Sequence, residues 1–274
     1  WFKAQIHIYD AVHSGFDSKR RYIASTAENE PHLDGRAQRN VVSQYGVTFF
    51  EDTLKDDQSG RPVLSGDAIF EGLPNNQLFT SYRTVGTIPI DHFEDNGLNV
   101  PSDYGQSGMS VFDVYPFTMG TLAYNDTFQH ATNGLIAGWE ERGAFFETDF
   151  GVSGIDVSAH TYLSFSVTQV HDRLNDDEPL DVTIEIEDDH GNRAAVSSLG
   201  VSEIPYPYYA NESQNVYVGH RSAMQSMRIP LSCLSGASAN GQQVDMTDLQ
   251  RLRIHNGKTD ETGLVGVDNI EFSN

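Results

Sequence analysis

This 274-residue chain is short of three things, and each shortage narrows what it can be. Cysteine is nearly absent: Cys233 stands alone, so no intrachain disulfide can form. With it goes any Cys/His cluster of zinc spacing, and no His-Glu-x-x-His occurs. Long apolar runs are missing too; none approaches the ~20 residues that a bilayer-crossing helix needs. Lysine is scarce, four residues against thirteen arginines, and the formal net charge is −22. An anionic surface of that size repels phosphate backbones and acidic lipid, which argues against nucleic acid or a membrane as partner. It suits cations, neutral sugars or a saline medium.

The charge is unevenly spread. Residues 1–86 hold 11 acids and 9 Lys/Arg, whereas residues 87–274 hold 28 and 8. Two domains with different surfaces are expected, 1–86 and 87–274. The chain opens Trp1-Phe2-Lys3-Ala4-Gln5-Ile6, without Met and already in a strand-like alternation. That opening predicts a processed or partial chain with a segment upstream.

The two parts differ in hydrophobic period. In the first, Ala4-Gln5-Ile6-His7-Ile8-Tyr9 alternates as a short strand. Val42, Tyr45, Phe49, Phe50 and Leu54 then recur at helical spacing over 35–55, behind Asp34 as N-cap. After residue 87 the period is 2 almost throughout. Leu180-Asp181-Val182-Thr183-Ile184-Glu185-Ile186-Glu187 turns four aliphatics inward and four polar residues outward. The Asp188-Asp189-His190-Gly191-Asn192 turn makes it one arm of a hairpin. Leu163, Phe165 and Val167 share another strand face, and further strands are expected at 144–150, 194–199, 216–219, 225–230, 250–255 and 264–272. The fold class is therefore mainly β: a sandwich preceded by a small α/β segment.

Residues 88–274 resemble the carbohydrate-binding-module superfamily with a galactose-binding-like jelly roll. The likeness rests on Ile90-Asp91-His92-Phe93-Glu94-Asp95 at the opening and Gly266-Val267-Asp268-Asn269-Ile270-Glu271-Phe272 at the close. In such modules the first and last strands are neighbours and share a structural calcium. The resemblance thus implies Glu94 and Asp268 as ligands, with Asp91 and Asp95 beside them. Oxygen ligands from separate loops are what calcium takes. The family also implies sugar held against exposed aromatics, for which Trp139, Tyr206, Tyr208 and Tyr209 are the candidates. The prolines of Pro205-Tyr206-Pro207-Tyr208-Tyr209 predict a loop displaying aromatics.

Ile6-His7-Ile8-Tyr9-Asp10-Ala11-Val12-His13-Ser14-Gly15-Phe16-Asp17, with the 35–55 helix, resembles the last strand, histidine loop and closing helix of an α/β-hydrolase of the dienelactone-hydrolase and chlorophyllase-like branches. That likeness implies His13 as general base. Nucleophile and acid would then lie upstream, in chain order. The chain itself contains no Gly-x-Ser-x-Gly; Gly105-Gln106-Ser107-Gly108 and Gly151-Val152-Ser153-Gly154 misplace the second glycine.

Three readings follow. The first is the C-terminal portion of a secreted serine ester hydrolase, needing an upstream segment or second chain and acting on an ester. The second is a non-catalytic carbohydrate-binding protein whose partner is a polysaccharide. The third is a structural or assembly sandwich.

Overall fold

The computed structural model describes residues 2–8, 11, 34–68, 78–93, 101–102, 105–110, 117–118, 134–139, 144–171, 174–175, 178–204, 206–211, 218–221, 224–235, 241–256 and 262–274. They fall into two compact units. One comprises residues 1–85 with 209–219 and 223–226; the other comprises 86–208 with 220–222 and 227–274.

In the first unit, β1 (Phe2–Ile8) pairs antiparallel with β2 (Leu78–Thr84) along its whole length, Phe2 opposite Thr84 and Ile8 opposite Leu78. Helix α1 (Gly35–Lys55) starts where the Asp34 carboxylate accepts the N–H groups of Arg36 and Ala37 at 2.9 and 3.2 Å. It ends at Asp56, which takes the left-handed conformation at φ 55°. The short helix α2 (Arg61–Ser65) is clamped to α1 by a fork: Arg61 Nε and Nη2 donate to the two oxygens of buried Asp52 at 2.7 and 3.1 Å. Gly66 closes α2 at φ 86°, and a Cβ there would collide with Thr80 on β2.

Tyr45, Leu64 and Tyr82 form the core of this unit, with Phe2, Ala4, Ile6 and Phe49 packed against them. The Tyr45 hydroxyl donates to the Leu64 carbonyl at 3.1 Å, and burial holds its pKa well above the ordinary tyrosine value. The strand at 2–8 thus buries its apolar face against its own chain. Its partner among the described residues is an antiparallel strand, where the hydrolase resemblance implied a place in a parallel sheet. His13 lies outside the described residues.

The second unit is an antiparallel sandwich. The strands after β2 are, in chain order, β3 (Ile88–Asp91), β4 (Pro101–Ser102), β5 (Gly105–Ser110), β6 (Phe117–Thr118), β7 (Leu135–Trp139), β8 (Phe145–Asp149), β9 (Tyr162–Gln169), β10 (Val182–Asp188), β11 (Arg193–Ser197), β12 (Tyr208–Asn211), β13 (Val218–Arg221), β14 (Gln225–Pro230), β15 (Leu249–Asn256) and β16 (Gly263–Ser273); residues 209–211 of β12, 218–219 of β13 and 225–226 of β14 count with the first unit. One six-stranded sheet runs β11-β10-β15-β8-β5-β4; the other runs β14-β9-β16-β7-β6 with β3 beside β16, while β12 and β13 pair with each other. From β7 to β10, and again from β14 to β16, the chain crosses between sheets at every step. That is the crossing pattern of a jelly roll.

Period-2 alternation supplies the core directly. Val182, Ile184 and Ile186 of β10 and Leu252 and Ile254 of β15 face Leu163, Phe165 and Val167 of β9 and Val265 and Val267 of β16 in one cluster. β16, the longest strand, is paired on both edges, with β9 on one side and β7 and β3 end to end on the other. The Asp188 turn joins β10 to β11, with Gly191 at φ 75°. There Asp188 accepts the N–H groups of His190, Asn192 and Asp245 and the Asn192 amide, all within 3.0 Å. Burial opposes ionisation of Asp188, but these donors outweigh it and hold its pKa below the usual carboxylate value.

Because Phe165 is enclosed by both sheets, Phe165→Ala is expected to cost about 3–5 kcal/mol in urea denaturation. Val152→Ala, in a fully exposed turn, should change stability by less than about 0.5 kcal/mol. Equal losses at the two positions would contradict this packing.

Candidate functional site

The outer face of the β11-β10-β15-β8-β5-β4 sheet carries an ordered polar array that alternation alone would assign to solvent. Cross-strand register aligns it in rows. The first row is Ser197, Thr183, His255 and Phe145, across β11, β10, β15 and β8. The second is Ala195, Glu185, Arg253 and Glu147; the third is Arg193, Glu187, Arg251 and Asp149.

Arg253 is the hub. Its Nε donates to Glu147 at 2.6 Å, and its Nη1 donates to Glu185 and Glu187 at 2.7 and 2.9 Å. Arg251 Nη1 donates to the other Glu187 oxygen at 2.6 Å, and Arg193 Nε approaches Glu187 at 2.8 Å. Glu187 and Arg253 side chains are only 7% and 13% exposed, although both sit on the outside of the sandwich. Burial of the Arg253 guanidinium works against its charge, yet the three carboxylates more than compensate and its pKa lies above the usual arginine value. The rim is more open: Arg251 is 36% and Asp149 44% exposed. Beside the charged rows, Phe145 lies under Arg253, with the guanidinium carbon 5.5 Å from the ring centroid.

His255 sits between Thr183 and Phe145, and its Nε2 is buried without a hydrogen-bond partner. Burial lowers its pKa; Glu185 raises it and Arg253 lowers it by smaller amounts. The imidazole is therefore neutral at pH 7. Donors, acceptors and one aromatic ring are thus held rigidly over a broad sheet face, a surface able to bind hydroxyl-rich ligands with little loss of side-chain freedom.

The residues singled out in the sequence fall elsewhere. Trp139 is 4% exposed in the sandwich core, its ring against Gly263, where a Cβ would collide with it. Its Nε1 has no partner. Tyr206 is half-buried, and its hydroxyl is 2.6 Å from His171 Nδ1. Tyr208 and Tyr209 belong to β12, where the prolines had predicted a loop; their side chains lie outside the described residues. Glu94 and Asp95 lie outside them as well. Asp91 and Asp268 are both buried on neighbouring strands, Asp91 opposite Ile270. Asp268 stands at a β-bulge, followed by Asn269 at φ 51°. Among the described residues, the three-residue group with metal-ligand spacing is a different one, Asp188, Asp189 and His190.

No protein-family model matches the chain, and no curated protein matches it. Among solved structures it is similar to the family 30 carbohydrate-binding module of cellulosomal cellulase Cel9D-Cel44B of Clostridium thermocellum, at 15% identity and TM-score 0.44 over 68% of this chain and 97% of that one. It is also similar to a family 11 carbohydrate-binding module of Clostridium thermocellum in complex with a β-1,3-1,4-mixed-linked tetrasaccharide, at 16% identity and TM-score 0.41 over 70% and 97%. An exo-β-agarase aligns at 13% identity and TM-score 0.45 over 68% of this chain and 25% of that one. The two-sheet fold described above rests on the strand pairing of this chain.

Two outcomes are expected of this face. Arg253→Met, which leaves three carboxylates facing one another, should cost about 1–3 kcal/mol in chemical denaturation, partial exposure moderating the larger effect of a fully buried pair. For His255 the folded pKa lies below the unfolded value, so the unfolded chain takes up the proton first. Its contribution to stability is full above about pH 6.5 and is lost as pH falls below it. His255→Phe should flatten the fall in melting temperature between neutral and mildly acidic pH; an unchanged slope would exclude this role.

Proposed function

We propose that the chain is a non-catalytic carbohydrate-binding β-sandwich of the jelly-roll kind that works outside the cell. The ligand is a polysaccharide laid across the strands on the Phe145–His255–Arg251 face. The preorganised array around Arg253 carries this reading: its charges are tied to one another, which suits hydroxyl groups more than a free ion. Phe145 supplies the apolar surface that a sugar ring can cover. Carbohydrate binding also appears in the names of the similar modules, but this chain's own sheet face is the basis of the proposal.

A serine-hydrolase role is not part of the proposal. β1 pairs with antiparallel β2, which lends the α/β-hydrolase resemblance no support. No helix among the described residues is long and apolar enough to cross a membrane.

Gel retardation on a panel of neutral polysaccharides tests the reading. At least one should retard the native protein, and Arg251→Ala or Phe145→Ala should weaken binding about tenfold or more, the equivalent of about 1.4 kcal/mol. A native protein that runs free on every member would overturn it.

A structural calcium at Asp91 and Asp268 belongs to the same proposal, with Glu94 and Asp95 as further ligands. Asp91 and Asp268 are both buried on paired strands and accept the backbone N–H groups of Phe93 and Asn269, and a hard cation that takes oxygen ligands from separate segments suits such carboxylates. When bound, the ion would fasten the first strand of the sandwich to the last. EDTA should then lower the melting temperature, calcium should restore it, and Asp268→Asn should abolish the response. A melt indifferent to EDTA, with no metal in the purified protein, would remove the site.

A further inference from the structure

On the polar sheet face, His255 is the group that the ion-pair lattice leaves out. Thr183 stands opposite it on β10 and Phe145 opposite it on β8. One row away are the charged groups that face it: Arg253 on its own strand, Glu185 on β10 and Glu147 on β8. Both carboxylates are already engaged, since Arg253 donates to Glu147 at 2.6 Å and to Glu185 at 2.7 Å. A guanidinium, not an imidazolium, is the cation they hold. The two ring nitrogens of His255 also differ. Nε2 is enclosed without a hydrogen-bond partner, whereas Nδ1 is not shut in this way. In a neutral imidazole one nitrogen carries the proton and the other a lone pair. A buried N–H with no acceptor is rarer in folded proteins than a buried acceptor with no donor. The proton therefore belongs on Nδ1, and Nε2 keeps its lone pair. A second proton would have to go to Nε2, where nothing accepts it.

We infer that His255 donates a hydrogen bond to the polysaccharide through Nδ1–H and that acid releases the ligand by protonating this ring, an inference that rests on the binding reading given above. Hydroxyl and ring oxygens of a sugar supply the acceptor that Nδ1–H needs. A sugar laid over the Thr183–His255–Phe145 row also takes from the imidazole the water that an added charge would require. The bound protein therefore accepts the second proton less readily than the free one. Proton and ligand compete, and by linkage each weakens the other. Burial already holds the His255 pKa below the ordinary histidine value, with the smaller effects of Glu185 and Arg253 opposed to each other. Affinity is thus full above about pH 6.5 and falls as pH drops through the lowered pKa of the free protein.

The position of the proton is read first, in the free protein: a long-range nitrogen–proton correlation spectrum at about pH 7.5 should place it on Nδ1 of His255. Affinity electrophoresis then uses the neutral polysaccharide that retards the native protein most. Between about pH 7.5 and about pH 5 its binding should weaken about threefold or more. His255→Phe should bind about tenfold more weakly than native at the upper pH. His255→Gln keeps an N–H donor but takes no charge, so it should recover part of that loss, and neither variant should show the native pH slope. A proton on Nε2, a native affinity that is flat with pH, or an acid loss that persists in His255→Gln would each overturn this inference and leave the binding reading standing. A native protein that no neutral polysaccharide retards would overturn both.

Discussion

A guanidinium group held by three carboxylates on the outside of a sheet is an expensive arrangement unless every partner is in place. Arg253 reaches Glu147 on one neighbouring strand and Glu185 and Glu187 on the other, so it ties β8, β15 and β10 together from outside while Leu252 and Ile254 hold them from within. Desolvation makes each of these charges costly alone and strong in company. The register of three strands is thereby specified twice, once by the apolar pleat and once by the ion-pair lattice. Whatever binds this face meets groups whose positions the sheet has already set.

The binding proposal depends on that rigidity and also on the gradient across the rows. Arg253 and Glu187 are too enclosed to serve chiefly as contacts and act as positioning groups, whereas Arg251 and Asp149 stand open at the rim. Phe145 and the neutral His255 form the less polar edge of the array. A hydroxyl-rich chain lying over both regions would find hydrogen bonds on one side and an aromatic surface on the other.

The first unit obeys a different economy. Its core of Tyr45, Leu64 and Tyr82 is small, and it relies on the Asp52–Arg61 fork and the Tyr45–Leu64 hydrogen bond to hold α1 and α2 together. Small cores leave apolar surface over. Here Val42, Val47, Phe50 and Leu54 of α1 and Val85 after β2 are the large apolar side chains left exposed among the described residues of this unit.

Local patterns carried much of the fold. The alternation in 180–187 and 162–167, the Asp188 turn and the Asp34 cap each specify an element through contacts within a few residues, and β10, β9, the β10–β11 hairpin and α1 stand where those patterns lie. The strand of residues 2–8 was legible too, but its partner was not: pairing with β2, far along the chain, depends on no nearby residue, and a strand-plus-histidine pattern suits either kind of sheet. The site was hidden for a related reason. The sequence by itself determined that Glu185, Glu187, Arg251 and Arg253 point away from the core, because side-chain direction follows the pleat. Tertiary structure alone decided that they face one another and that Glu187 and Arg253 leave water, because antiparallel register brings together residues that lie 60 or more positions apart. It likewise buried Trp139, whose ring fills space that Gly263 leaves on the adjoining strand.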